Sequence, residues 1–148
     1  MSARFQQRRA FTLVELLLTV SIIGILATIT IGTMSPRKQL NSSRDAKRQA
    51  DVNAIMSAID QYSIDKGVLP AGIVRGPAKE ICTSWATSCN GGISLLMLSG
   101  TYIPTLPADP YAQPTETGSH YFISLSNTDL VTIFAPLAEG KHSISITR

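Results

Sequence analysis

The chain has 148 residues, 44% of them apolar, with 13 basic and 10 acidic side chains. That length makes one domain with a modest core and leaves no room for a large catalytic cleft. Arg4, Arg8 and Arg9 hold three of the 13 basic charges ahead of a long apolar run, so the positive excess is local and a nucleic-acid partner is not indicated.

The run extends from Phe11 to Met34, 24 residues whose only charge is Glu15. As a helix it would be about 36 Å long, enough to cross a hydrocarbon core of roughly 30 Å. A carboxylate inside such a helix costs about 2.5–3.5 kcal/mol on insertion and therefore marks a functional residue. A cleaved secretory signal would be shorter, with Thr30 and Gly32 as its exit, and a plain anchor would leave Glu15 without a purpose. Gly24, Thr28 and Gly32 recur every four residues, a small-residue stripe that permits close helix–helix packing. The ring of Pro36 would clash with the carbonyl of Gly32, which predicts a break between residues 32 and 36.

Ser43 to Lys66 reads as a second helix. Val52, Ile55, Ile59 and Tyr62 mark its apolar face, and Ala46 and Ala50 extend that face toward the N-terminus. Lys47 with Asp51 and Asp45 with Arg48 stand at helical contact spacings, so the basic cluster reads as a partly self-neutralised, solvated face. Lys66, Gly67 and Pro70 then supply a terminal cation, a left-handed cap and a breaker.

Cys82 and Cys89 are the only cysteines. A zinc site wants four ligands and a redox pair is usually Cys-x-x-Cys, so a structural disulfide in an oxidising compartment is the reading adopted. Ile93 to Leu98 can form one or two helical turns, and Pro104, Pro107 and Pro110 exclude a regular element after it. His120–Leu125, Leu130–Ala135 and Ser143–Thr147 read as strands, with turns at Asn127–Asp129 and Glu139–Lys141. No nucleophile–base arrangement, phosphate loop or paired carboxylates in a cleft can be argued, which leaves no enzyme, cofactor or metal to expect.

The phrase RRAFTLVELLL, from Arg8 to Leu18, resembles the class III signal of type IV pilins and pseudopilins. The segment from Asp45 to Pro70 and the phrase YIPTLPADPY resemble the later part of their helix and the connection into their sheet. The resemblance implies an α+β fold, a long N-terminal helix packed on a small antiparallel sheet of about three strands. It implies cleavage by a prepilin peptidase between Ala10 and Phe11, N-methylation of Phe11, and pairing of Glu15 with a neighbouring subunit's amine. The family usually has Gly before the cut; Ala10 is also small, so cleavage is expected.

The implied organisation is a leader over 1–10, a transmembrane and filament-core helix over 11–34, an amphipathic helix over 35–67, and a head over 68–148. Basic residues flank both ends of the apolar run and do not orient it. The leader resemblance and the cysteine pair place the N-terminus in the cytoplasm. The implied partners are the peptidase, like subunits, an inner-membrane assembly platform, and the membrane before assembly. Secretion-type relatives often bind calcium near the C-terminus, but with only Asp129 and Glu139 there the site is not carried over.

The resulting expectation is a type IV pilus subunit, held in the cytoplasmic membrane as a single-pass precursor and then exported into a filament. The rival readings are a pseudopilin of a secretion or DNA-uptake machine and a membrane-anchored binding module that never polymerises.

Overall fold

The computed structural model describes residues 11–32, 35–86, 88–140 and 143–148. The leader over 1–10, with Ala10, lies outside them, as do Thr33, Met34, Lys141 and His142. Two compact units divide at Pro36 and Arg37.

The first unit holds helix α1 (Leu13–Gly32). Thr12 caps it: its hydroxyl accepts the Glu15 amide at 3.2 Å, and its carbonyl accepts the Leu16 amide at 3.2 Å. Thr12 and Glu15 thus stand three residues apart at a helix start, the spacing of a capping box. Glu15 sits in the first turn, where the positive end of the helix dipole favours a carboxylate. Apolar residues follow on every side of α1, and Leu16, Leu17, Leu18, Val20, Ile23, Ile25, Leu26 and Ile29 are all exposed.

Among the described residues, no helix is long and apolar enough to cross a membrane. In place of the expected span stands a 20-residue helix with a carboxylate in its first turn. Its uncharged part, from Leu16 to Gly32, is about 25 Å long, short of a hydrocarbon core of roughly 30 Å. The expected transmembrane helix and single-pass membrane precursor are corrected accordingly.

The second unit holds helix α2 (Pro36–Lys66) from its second residue onward. Pro36 is its first residue, a position that tolerates proline because the first amide has no helical partner. At the other end Gly67 takes φ of +72° and donates its amide to the Ser63 carbonyl at 2.8 Å. That left-handed cap is one that glycine adopts without steric cost.

A four-stranded sheet follows, formed by β1 (Lys79–Cys82), β2 (Gly118–Leu125), β3 (Val131–Ala135) and β4 (Ile144–Thr147). The strands pair in sequence order and every pair is antiparallel. The sheet exceeds the expected three strands by β1, a four-residue strand whose register with β2 shifts between Glu80 and Cys82. Along β2 burial alternates residue by residue, which sends one set of side chains to the core.

That core joins Val52, Ile55, Met56 and Ile59 of α2 to Tyr121, Ile123, Ile133 and Ala135 of the sheet. Ile81, Leu95, Leu98 and Leu106 fill the space between. The expected short helix after Ile93 is a single 3-10 turn, Leu96–Leu98. The fold is α+β and pilin-like: a long helix whose apolar face is buried by a small antiparallel sheet.

Candidate assembly site

Phe11 and Glu15 open the first unit. Phe11 precedes the helix and is 76% exposed. Glu15 lies one turn on, exposed, with no ion pair among the described residues. Farther along, the space where a Gly24 side chain would stand is empty. The Thr28 hydroxyl turns back onto the Gly24 carbonyl at 2.8 Å, which satisfies its proton within the helix. Gly32 closes α1. The structure therefore brings Phe11 and Glu15 to one helix end and sets Gly24 and Thr28 on an open flank. The cap made by Thr12 is legible in the sequence as T-x-x-E.

In the head, the solvated basic face read from the sequence is corrected at its centre. Arg48 is 0% exposed. It occupies the buried position one turn before Val52, while Ala46 and Ala50, expected on the apolar face, are exposed. Its Nε donates to Asp109 Oδ2 at 2.7 Å and its Nη2 to Asp109 Oδ1 at 3.1 Å. Its Nη1 reaches Asp45 at 2.8 Å and Glu139 at 3.3 Å. The Tyr111 ring lies beneath both Arg48 and Arg44, at 5.3 and 4.9 Å from their guanidinium carbons. A fork against a planar carboxylate is the geometry that makes a buried charge tolerable.

Asp45 is bound twice over, since its carboxylate also accepts the amides of Glu139 at 3.0 Å and Gly140 at 2.7 Å. Burial by itself would raise its pKa; the amide bond from Glu139 and the contact with Arg48 outweigh that and hold it below the ordinary value. Arg48 is held above its ordinary value chiefly by Asp109, against the opposing effect of burial. This hub fastens the 109–112 loop and the 139–140 turn to α2.

The expected Lys47–Asp51 ion pair does not form among the described residues. Asp51 instead accepts the Tyr121 hydroxyl at 2.7 Å. Burial raises the Asp51 pKa and the Tyr121 bond offsets part of the rise.

Cys82 and Cys89 are disulfide-bonded, with Cα atoms 5.4 Å apart. Gly92 packs so tightly on this bridge that a Cβ would lie 2.2 Å from the Cys89 sulfur and 2.7 Å from the Glu80 carbonyl. Trp85, within the loop, is 53% exposed and donates its indole N–H to the Glu116 carbonyl at 2.9 Å. Among the described residues, no three His, Cys, Asp or Glu side chains converge where a metal could be held.

The family model described as "Prokaryotic N-terminal methylation motif" matches residues 6–31. The type II secretion system core protein G of Vibrio cholerae is 23% identical over 144 residues, covering 93% of this chain and 86% of that protein. The protein of the same name from Escherichia coli is 25% identical, over 80% of this chain and 81% of its own length. That from Pseudomonas aeruginosa is 28% identical, over 74% and 72%. No solved structure matches the chain.

The chain carries the prepilin methylation motif and is similar to type II secretion core proteins along most of its length. It has the pilin-like fold of a structural subunit.

Proposed function

We propose that the chain is a pseudopilin of a type II secretion machine, polymerising through α1 into a secretion filament; this replaces the pilus subunit expected from sequence. The observation that carries the reading is the similarity to secretion core proteins along nearly the whole chain. It is supported by an α1 that is apolar on all sides and exposed on all sides. A helix of that kind is stable in water only when something buries it, and a bundle of identical helices does so.

In this mechanism a prepilin peptidase cuts between Ala10 and Phe11, and the new Phe11 amine is methylated. Glu15 of an incoming subunit pairs with the Phe11 amine of a subunit already in place. The pairing compensates a charge that bundling removes from water, so a subunit lacking it would strand its neighbour's amine. Gly24, Thr28 and Gly32 let neighbouring helices approach, and an assembly platform delivers the subunits.

The test is deletion of the gene in the organism that makes the protein, with complementation by the native sequence and by Glu15→Ala. Loss of secreted enzymes, restored by the native chain alone, is the expected result. Unimpaired secretion with loss of surface pili would assign the chain to a pilus instead. Mass spectrometry of the assembled subunit is expected to find an N-terminal peptide beginning at methylated Phe11.

A further inference from the structure

Most charges of the head are matched within it. Asp45, Asp109 and Glu139 are held by Arg44 and Arg48; Asp60 pairs with Arg148, Asp65 with Lys66 and Asp129 with Arg75. Asp51 binds Tyr121. Glu80 and Glu116 alone among the head carboxylates have neither a Lys or Arg partner nor a buried hydroxyl, counting the described residues.

These two carboxylates line one cleft of about 330 Å³, at the irregular stretch of the β1–β2 pair. Both are fixed in place by backbone amides. Glu80 Oε1 accepts the His120 amide at 2.9 Å, and Glu116 Oε2 accepts the Gln113 amide at 2.8 Å. Their remaining oxygens, Glu80 Oε2 and Glu116 Oε1, accept no hydrogen bond among the described residues. His120 between them has φ of +61°, a left-handed conformation rare within a strand. Its Nε2 lies 3.4 Å from Glu116, and its buried Nδ1 has no partner. Two under-used carboxylates, one on β1 beside its register shift and one just before β2, thus flank a residue in a strained backbone conformation.

The opposite surplus lies elsewhere on the head. Arg37 and Lys38 occupy the first turn of α2, exposed, and that turn contains no acidic residue. Neither makes an ion pair among the described residues. Cations there face the positive end of the helix dipole, an arrangement that disfavours the helix until a carboxylate is supplied from outside.

We propose that the Arg37–Lys38 end of α2 docks into the Glu80–Glu116 cleft of a second copy of this chain. The inference rests on the filament reading above and names a contact within it. The two surfaces are different patches, so the contact is heterologous: each copy offers one of each, and repetition gives an open filament. Complementary charge of this kind sets register and partner choice.

The test uses the full chain in cells carrying its secretion machinery, with the fraction of subunit recovered in sedimented filaments as readout. Arg37→Glu/Lys38→Glu is expected to lower that fraction at least tenfold, and Glu116→Lys likewise. Producing the two variants together restores assembly, because each then meets a complementary neighbour. Glu116→Gln, which keeps an acceptor for the Gln113 amide, guards against a folding defect and is expected to give an intermediate loss.

Native assembly by either charge-reversed variant, or no recovery when the two are combined, would overturn the contact. The Glu15→Ala chain, run alongside, separates the two ideas. If it fails to assemble while the charge-reversed variants assemble normally, the filament reading stands and this contact falls. If the native chain itself never sediments, the filament reading falls.

Discussion

Replacing Arg48 by Met tests the physics of the head most directly. Arg48 and the side chain of Asp109 are both 0% exposed. Methionine fills much of the volume but leaves the Asp109 carboxylate buried, with the Tyr111 amide at 2.9 Å as its remaining donor. Stranding one member of a buried pair costs about 3–5 kcal/mol. That is a large share of a total stability of about 5–15 kcal/mol. For a head of this size it lowers the melting temperature by about 12–20 °C. The assay is urea unfolding followed by the fluorescence of Trp85, the single tryptophan. In the double variant Arg48→Met/Asp109→Leu both charges are gone, and much of the loss is expected to return. A cost below about 1 kcal/mol for the single variant, or strict additivity in the double, would refute the claim that the two charges depend on each other.

Three further outcomes are expected. Gly92→Ala places a carbon against the bridge, so thiol titration should find free Cys82 and Cys89, with a loss of about 2–3 kcal/mol for the opened loop. Tyr121→Phe takes away the hydrogen bond that offsets burial at Asp51; unfolding at neutral pH should show a loss of about 1–3 kcal/mol. That loss shrinks in acid, because the raised pKa of Asp51 means that its charged form is the one the fold disfavours. Asp45 has the opposite sign: its folded pKa lies below the ordinary 3.8, so its stabilisation is complete above about pH 4 and disappears as pH falls through the folded value. Denaturation curves from pH 6 to pH 2 should show Asp45→Asn weaker than the native chain at pH 6 and less sensitive to the final drop.

What could be read from the sequence was local. The motif around Glu15, the cap at Gly67 and the alternation in β2 and β3 each announce themselves within a few residues. Strand β1 does not, because four residues with a register shift carry no period to detect. The Arg48 hub was illegible for a different reason. Asp109 lies 61 residues away and Glu139 lies 91 away. At the sequence level Arg48 had a neighbour of opposite charge three residues back and looked like a surface pair. Only tertiary packing distinguishes a guanidinium held by three carboxylates from one in water. Pro36 illustrates the intermediate case, since the break was legible but its use as the first residue of α2 was not.

Because Arg48 collects carboxylates from residues 109 and 139, the head cannot seal around α2 until both of those residues have been made. A chain stopped short of Glu139 would carry an apolar helix face with an incompletely neutralised cation in its middle. Contacts of such long sequence separation form late and slowly. A head without Glu139 is therefore expected to close incompletely around the guanidinium and to be cut more readily by proteases than one that contains it.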